Sequence, residues 1–445
     1  MIDLSKTLFV CTGNVFRSVI SEKFFNRGAL ENNLPFQARS RGTNIHFKRP
    51  NPLLGRIVEE DYSISLKNHQ ARKISEGDVS WASSIVCFTP EHREEMAKKF
   101  PEAKDKIFLI YDISHLDPSL FKDIDYYDVS RMNGFLAEEL KALKSAVDGM
   151  YHRLSVSVIM AVYNEEKNVA NILNKLVGQS AGWAVREIIV VSSGSTDGTD
   201  ETIRSVESPL IKLIRERTRK GKISAIKKAI PFANGSNVLL IDGDVEIEDD
   251  FIERCFSCVC GGMVPCTAKI VPIPAKKRFF HRLSEISCEA WNSLRKKNSK
   301  AGAFVYPSGY GMLIGKEDLE VGFEEMEETA INDDGLLSFV LFKKGVLFRY
   351  CDDLRVRVVF PQSLRDFFAQ KIRTRMGRRQ GNADFFKSVE KQWRKEIFAT
   401  VNADNLFLVS ILLVLDALAR FLANVKIRFN LDHHLWKPVR TTKRP

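Results

Sequence analysis

Two apolar runs, each followed by a polar turn and a helical pattern, set the frame of this chain. The first is Thr7-Leu8-Phe9-Val10, which leads through a Gly-containing turn into a helix-like stretch over 19–25. The second spans 155–160 and is followed by Tyr163-Asn164-Glu165-Glu166 and another helically spaced stretch. A short apolar run bounded by turn residues predicts a buried strand; apolar residues three and four apart predict a helix. Between the two runs, Phe135, Leu136, Leu140, Leu143, Val147 and Met150 share one helical face, so a helix over 133–151 is predicted to close a first unit. The boundary falls near residue 153. Further strands are predicted at 187–191 and 237–241, with turn chemistry at 194–199 and at Gly243 directly after them. Strands alternating with helices predict α/β architecture in both units, with ligands at the carboxyl ends of the strands.

Length and composition narrow the picture. At about 150 residues per domain, 445 residues suggest two or three domains. With 44% hydrophobic and 28% charged residues, and only 25 Gly and 15 Pro, disordered and collagen-like chains are excluded. Eight Cys are too sparse for a disulfide scaffold, and the start, MIDLSKTLFVCTGN, lacks a basic flank and apolar stretch. A cytoplasmic, reducing setting is therefore expected. Charge is uneven: 22 Lys and Arg face 21 Asp and Glu through Arg153, but 45 face 35 beyond it. The second unit should favour anionic ligands such as nucleotides, phosphates or a membrane surface. Without interleaved aromatic and basic residues, nucleic acid is not an expected partner.

Cys11-Thr12-Gly13-Asn14-Val15-Phe16-Arg17-Ser18 follows a predicted strand and opens a helix. Five residues between Cys11 and Arg17 form a loop that can turn its amides inward as an anion nest. Such a field favours the thiolate, making Cys11 a nucleophile. Arg17 can grip two phosphoryl oxygens, and Ser18 can donate to the thiolate. These residues resemble the signature of the low-molecular-weight protein tyrosine phosphatases. The similarity continues through Ser40-Arg41-Gly42-Thr43, Asn68-His69-Gln70-Ala71-Arg72 and the run over 85–88 before Thr89, Glu91 and His92. The resemblance implies a doubly wound parallel-sheet domain over 1–153, a phosphocysteine intermediate, no cofactor, and Gly13, Asn14 and Ser18 as phosphate-binding residues. It also implies a late Asp as general acid. Asp123-Ile124-Asp125-Tyr126-Tyr127 stands where the family has Asp-Pro-Tyr-Tyr, so Asp125 is chosen and Asp123 is the fallback. Arsenate reductases share this loop but need further cysteines, and only Cys87 accompanies Cys11 in this half.

Asp242-Gly243-Asp244 follows the apolar strand at 237–241. Two carboxylates two residues apart at a strand end can serve a ribose and a divalent cation together. In context, the second half resembles the family 2 glycosyltransferases. Motifs at 158–166 and 188–199, Lys220-Gly221-Lys222 with Ala225, and Ser308-Gly309-Tyr310-Gly311 fall in the family's order. Ser192-Ser193 stands where many members carry Asp-Asp. The resemblance implies a Rossmann-like GT-A fold over 154–395 and an inverting transfer from a nucleotide-diphosphate sugar to a saccharide or lipid-linked acceptor. Tyr163, Glu165, Ser193, Asp197, Lys222, Asp242 and Arg373 would bind the donor, with Asp242 and Asp244 holding Mg²⁺ or Mn²⁺. Asn332-Asp333-Asp334 makes Asp334 the candidate base. Gln370-Lys371-Ile372-Arg373 is similar to the Gln-x-x-Arg-Trp motif of processive members, with Thr374 in place of Trp.

Cys255, Cys258, Cys260 and Cys266 are clustered, but their spacing fits no regular zinc motif, and buried thiols are the expected state. The remaining 396–445 form an apolar helix and a basic tail. Ten uncharged residues run over 406–415, Asp416 and Arg420 interrupt, and the last 20 residues carry six Lys and Arg against one Asp. Charges at the centre disfavour a spanning helix. Both an interfacial helix on the inner face of the cell membrane and a helix completing the transferase core fit this pattern. The expectation is a bifunctional enzyme acting on a phosphoprotein or phosphomonoester and on a nucleotide sugar, in surface polysaccharide or glycolipid synthesis. The alternative is a transferase with a non-catalytic phosphate-binding module.

Overall fold

The computed structural model describes residues 4–31, 36–114, 116–121, 129–258, 265–274, 277–328, 333–380, 382–402 and 404–428. The chain divides into two compact units, Met1–Leu154 and Ser155–Pro445. In the first, β1 (Lys6–Cys11), β2 (Gln37–Gly42), β3 (Ser84–Cys87) and β4 (Ile107–Leu109) form a parallel sheet in the order β2-β1-β3-β4. Helices α1 (Arg17–Glu31), α2 (Pro52–Tyr62), α3 (Glu76–Trp81), α4 (Pro90–Lys99), α5 (Ile110–Ser114) and α6 (Val129–Arg153) accompany it. Strand β1 is buried on both faces. Leu8 and Val10 pack with Val79 and Met96, while Phe9 and Cys11 pack with Phe25, Phe88 and Leu143. Coverage on both sides is why this strand reads as a continuous apolar run. Its neighbours β2 and β3 lie on opposite sides, so the turn after β1 opens at a topological switch point.

The second unit has an eight-stranded sheet. Its strands are β5 (Val156–Val162), β6 (Val185–Ser193), β7 (Ile211–Glu216), β8 (Asn237–Ile241), β9 (Val245–Ile247), β10 (Cys266–Pro272), β11 (Gly311–Gly315) and β12 (Arg349–Val358). Their order is β7-β6-β5-β8-β11-β10-β12-β9. The first four are parallel, β11 runs antiparallel to both β8 and β10, and β9 is antiparallel to β12. Helices α7 (Val169–Val177), α8 (Thr199–Ser205), α9 (Lys222–Ala229), α10 (Phe251–Cys258), α12 (Lys316–Glu324) and α13 (Asp333–Lys343) flank the sheet. A helical layer is built from α11 (Arg278–Lys300), α14 (Leu364–Gln380), α15 (Ala383–Ala399) and α16 (Leu406–Arg428), around Leu283, Phe386, Trp393 and Leu412. The α/β reading of both units stands.

Two features refine the sequence reading. Helix α16 buries Val409, Leu412, Leu415 and Ala419 while exposing Phe407 (74%) and Phe421 (64%), with Val414 and Leu418 between them. Asp416 lies on the packed side, 2.5 Å from Arg375 and one turn from Arg420. The interrupting acid is therefore part of the helical layer, and among the described residues α16 is the helix long and apolar enough to cross a bilayer. Correcting the expectation of thiols throughout, Cys258 is disulfide-paired with Cys351. Helix α10 packs on β12, which brings together two cysteines 93 residues apart that local spacing could not connect. Cys255 and Cys266 remain buried thiols, and Cys260 lies outside the described residues.

Candidate functional site

In the first unit, the turn after β1 is fixed from several directions. Asn14 takes a left-handed conformation, φ 53°, which Asn tolerates better than most residues. Its Nδ2 donates to Ser18 Oγ at 3.0 Å, and its Oδ1 accepts from the Arg72 amide at 2.9 Å. His69 Nε2 lies 2.7 Å from the Asn14 carbonyl, and burial pulls the imidazole pKa down. Cys11 Sγ sits 3.0 Å from Ser18 Oγ, at the mouth of the loop. Arg17 begins α1, is 2% exposed, and lies 5.8 Å from the Phe88 ring centroid. The buried His92 ring spans Thr89 Oγ1 (3.0 Å) and Thr12 Oγ1 (2.9 Å), tying the loop to the start of α4. Cys11, Gly13, Asn14, Arg17 and Ser18 thus lie on one strand–turn–helix element. Asp123 and Asp125 lie outside the described residues.

In the second unit, the turns following β5, β6 and β8 converge on an open cleft of about 880 Å³. Tyr163, Glu165, Ser193, Lys222, Asp242, Asp244 and Arg373 all line it. Asp197 does not. Its carboxylate instead accepts from the Thr199 amide and hydroxyl, ordering the turn into α8. Sequence reading missed Arg219, whose guanidinium lies 3.9 Å from the Tyr163 ring centroid, because nothing in its local pattern marks it. Ser193 Oγ donates to Glu216 Oε2 at 2.6 Å, so a carboxylate on the neighbouring strand stands behind the serine.

The charged centre of the cleft is compensated internally. Lys222 Nζ lies 2.7 Å from Asp242 Oδ1 and 2.9 Å from Asp333 Oδ2. Burial opposes its charge, but the two carboxylates outweigh it and hold the ammonium protonated. Burial pushes Asp242 up, and it pushes Asp334 up with help from Asp333. Asp334, near the start of α13, accepts from the Gly309 amide (3.0 Å) and the Gly335 amide (2.7 Å). Burial lowers Arg373 to about 10. Asp242, Asp244 and Gly243 offer hard oxygen donors beside space for a ligand, a set suited to Mg²⁺ or Mn²⁺. No group of three or more candidate ligands occurs among the described residues, so Asp242 and Asp244 are the pair that would hold such a cation.

A second cavity adjoins the first, with Lys222, Asp242, Tyr310, Gln370 and Arg373 lining both. Asp333 and Asp334 line it as well, together with Arg295, Lys371 and Trp291. The Trp291 ring stacks on Trp393 at 5.5 Å, an aromatic floor of the kind that sugar rings and apolar bodies favour.

Comparison with known proteins follows this division. Residues 6–154 match the family model for low molecular weight phosphotyrosine protein phosphatase, and residues 157–321 match glycosyl transferase family 2. The chain is 32% identical over 108 residues to the glycosyltransferase AglE of Haloferax volcanii, covering 24% of this chain and 36% of that protein. It is 23% identical over 231 residues to the poly-beta-1,6-N-acetyl-D-glucosamine synthase of Staphylococcus aureus, covering 50% and 54%. The chain thus spans between about a third and a half of these curated relatives. A mannosyltransferase from Pyrobaculum calidifontis, solved with GDP-Man and Mn²⁺, is 22% identical at a TM-score of 0.44, covering 64% of this chain and 82% of that one.

Proposed function

Starting from a chain that belongs to two families, a low molecular weight phosphotyrosine protein phosphatase over 6–154 and a family 2 glycosyl transferase over 157–321, we propose a bifunctional enzyme. Its first half is a cysteine-dependent phosphomonoesterase and its second an inverting transferase using a nucleotide-diphosphate sugar. Surface polysaccharide or glycolipid assembly is the process that suits both.

In the first half, the Cys11 thiolate attacks phosphorus, and the P–O bond to the leaving group breaks as the phosphocysteine forms. Loop amides and Arg17 take the negative charge of the equatorial oxygens. Ser18, 3.0 Å from Sγ, stabilises the thiolate as it is released by water. Asp125, or Asp123 in its place, protonates the leaving oxygen.

In the second half, Tyr163, Glu165 and Ser193 hold the nucleoside, and Lys222 and Arg373 face the diphosphate. A divalent cation at Asp242 and Asp244 would, when bound, neutralise charge on the departing diphosphate. Asp334 takes the proton of the acceptor hydroxyl as its oxygen bonds to the anomeric carbon from the face opposite the diphosphate. A carboxylate raised by burial is the better base for this step. One observation supports the reading most: the donor cleft and the Asp334 cavity are continuous through Lys222, Asp242 and Arg373. The exposed apolar stripe of α16 and the basic residues that follow it support peripheral docking on an anionic bilayer.

One experiment tests both halves. Hydrolysis of p-nitrophenyl phosphate and transfer from a panel of nucleotide sugars with Mn²⁺ are measured in the same preparations. Cys11→Ser should abolish the first, and Asp244→Ala or Asp334→Ala the second. Hydrolysis that survives Cys11→Ser, or never appears, makes the N-terminal half a binding module. Transfer indifferent to both acids misplaces the transferase site.

A further inference from the structure

Around the loop after β1, charge is unevenly placed. Over 36–58 the chain carries five Lys and Arg, and over 62–75 three more, with no Asp or Glu in either segment. Both segments abut the loop. The Thr43 and Asn44 amides donate to the Cys11 and Thr12 carbonyls at 3.0 Å, and the Arg72 amide donates to Asn14 Oδ1 at 2.9 Å. The segments also hold each other, the Ala71 amide donating to the Lys48 carbonyl at 2.9 Å. Lys48 and Arg49, after β2, and Arg72 and Lys73, before α3, are thereby placed on the β2 side of Cys11, and all four are exposed. Among the described residues none of the four forms an ion pair. Three neighbouring acids have other partners: Asp78 pairs with Arg41 at 2.7 Å, Glu59 with Lys67 at 2.9 Å, and Glu22 accepts from Ser40. Beyond β3, on the other side of the loop, charge is mixed, with Glu91 in the first turn of α4 and Arg93 3.8 Å from Asp112. The unit as a whole is near neutral, 22 cations against 21 anions through Arg153, so the basic side of the loop is a local segregation of charge.

We propose that the first half acts on phosphotyrosine set in an acidic stretch of protein, whose Asp and Glu side chains lie against Lys48, Arg49, Arg72 and Lys73. The inference rests on the phosphatase reading and names the substrate class of that site. Four cations spread over two adjacent segments suit several separated carboxylates better than one compact head group. Each exposed pair contributes little in water, but several of one sign steer an anionic partner and add to its affinity, and salt screens them. The preference falls on KM, since these four side chains act on the flanks of the substrate and not on the reacting phosphoryl group.

The test uses the full chain and three phosphotyrosyl peptides of one length, flanked by glutamate, serine or lysine. At about 20 mM salt the glutamate peptide should exceed the serine peptide about tenfold in kcat/KM, chiefly through KM, with the lysine peptide poorest; at about 500 mM the spread should shrink to about twofold. Lys48→Gln combined with Arg49→Gln and Lys73→Gln should bring the glutamate and serine peptides within about twofold of each other, and leave p-nitrophenyl phosphate hydrolysis within about twofold of wild type. Arg72 is left in place because its backbone holds Asn14. Equal use of the three peptides, a preference unmoved by salt or by the triple variant, or faster phosphate release from phosphatidylinositol phosphate vesicles than from the glutamate peptide overturns the proposal. Hydrolysis of p-nitrophenyl phosphate in any of those cases leaves the phosphatase reading standing. If the wild type hydrolyses none of these substrates, that reading fails, and fluorescence anisotropy with labelled peptides judges the basic side alone. Tighter binding of the glutamate than of the serine peptide, lost in the triple variant, upholds it; equal binding overturns it. Should the triple variant fail to fold, the wild-type ranking and its salt dependence decide.

Discussion

Gly42→Ala should cripple the phosphatase half without touching a catalytic group. A Cβ added at Gly42 would lie 2.6 Å from the Thr12 carbonyl oxygen, 3.1 Å from the Asn14 amide nitrogen and 2.5 Å from Ile45 Cδ1. The Ile45 tip can swing away, but the other two atoms are backbone of the phosphate loop. A carbon approaches a carbonyl oxygen to about 3.3 Å, so roughly 0.7 Å must be found. Gly42 cannot supply it. Its amide donates to Arg72 O at 2.9 Å, its carbonyl accepts from Ile74 N at 3.0 Å, and it stands in register with Cys11. The loop must yield instead, and Arg72 couples the strain to Asn14 Oδ1. Overpacking of this kind costs about 1–3 kcal/mol, and sub-ångström misplacement of a reacting constellation costs roughly 30- to 100-fold in rate. The assay is kcat/KM for p-nitrophenyl phosphate beside thermal unfolding. Gly55→Ala on α2 is the control, since nothing lies within 4 Å of its added Cβ; it should keep full activity and gain about 0.5 kcal/mol. If Gly42→Ala keeps kcat/KM within twofold of wild type, the claim that β2 braces the loop is wrong.

Three further outcomes follow from other sites. Lys222→Met leaves Asp242 and Asp333 facing each other without their shared cation; the open cleft softens the loss to about 2–3 kcal/mol, and Mn²⁺ should restore part of the lost melting temperature. Asp416→Ala strips a 1%-exposed acid from Arg375 and Arg420, and loss of about 3–5 kcal/mol should appear as lost amide-exchange protection along α16. Burial raises the Asp416 pKa, but Lys371 and Arg375 outweigh it, so its net shift is downward and its stabilisation is complete above about pH 4. That contribution should fade as pH falls below 4, and α16 protection in Asp416→Asn should lack the acid-dependent step. Phe407→Glu with Phe421→Glu should weaken cosedimentation with anionic vesicles about tenfold and leave p-nitrophenyl phosphate hydrolysis unchanged.

Local chemistry was legible in the sequence wherever one strand and its following turn hold the whole motif. Cys11 through Ser18 is such a case: strand, left-handed Asn14 and helix start are consecutive, so pattern and geometry coincide. Asp242-Gly243-Asp244 after β8 is another. What escaped depends on pairing between distant segments. Glu216 reaches Ser193 only because β7 lies beside β6, and Arg219, after β7, reaches Tyr163, after β5, because both strands flank β6. Asp197 shows a further limit: its motif does not reveal that its carboxylate accepts from the Thr199 amide at the helix start. The cysteines show the same limit, since spacing along α10 carries no information about β12.

Under the proposed activities, the two units answer one problem, a concentrated phosphoryl charge, with opposite means, and the contrast follows from what each would do afterwards. On the proposed reading, the loop after β1 binds a phosphoryl group that becomes attached to Cys11, so fixed donors would suffice: amides and Arg17 need not move or be replaced. A transferase of the proposed kind must release a diphosphate, and the two adjoining cavities hold Asp242, Asp244, Asp333 and Asp334. Lys222 pairs with two of these acids. A nucleotide sugar adds further negative charge to that same space, which Lys222 cannot offset while still serving Asp242 and Asp333. On the proposed reading, a divalent cation held by Asp242 and Asp244 would supply the charge that Lys222 cannot.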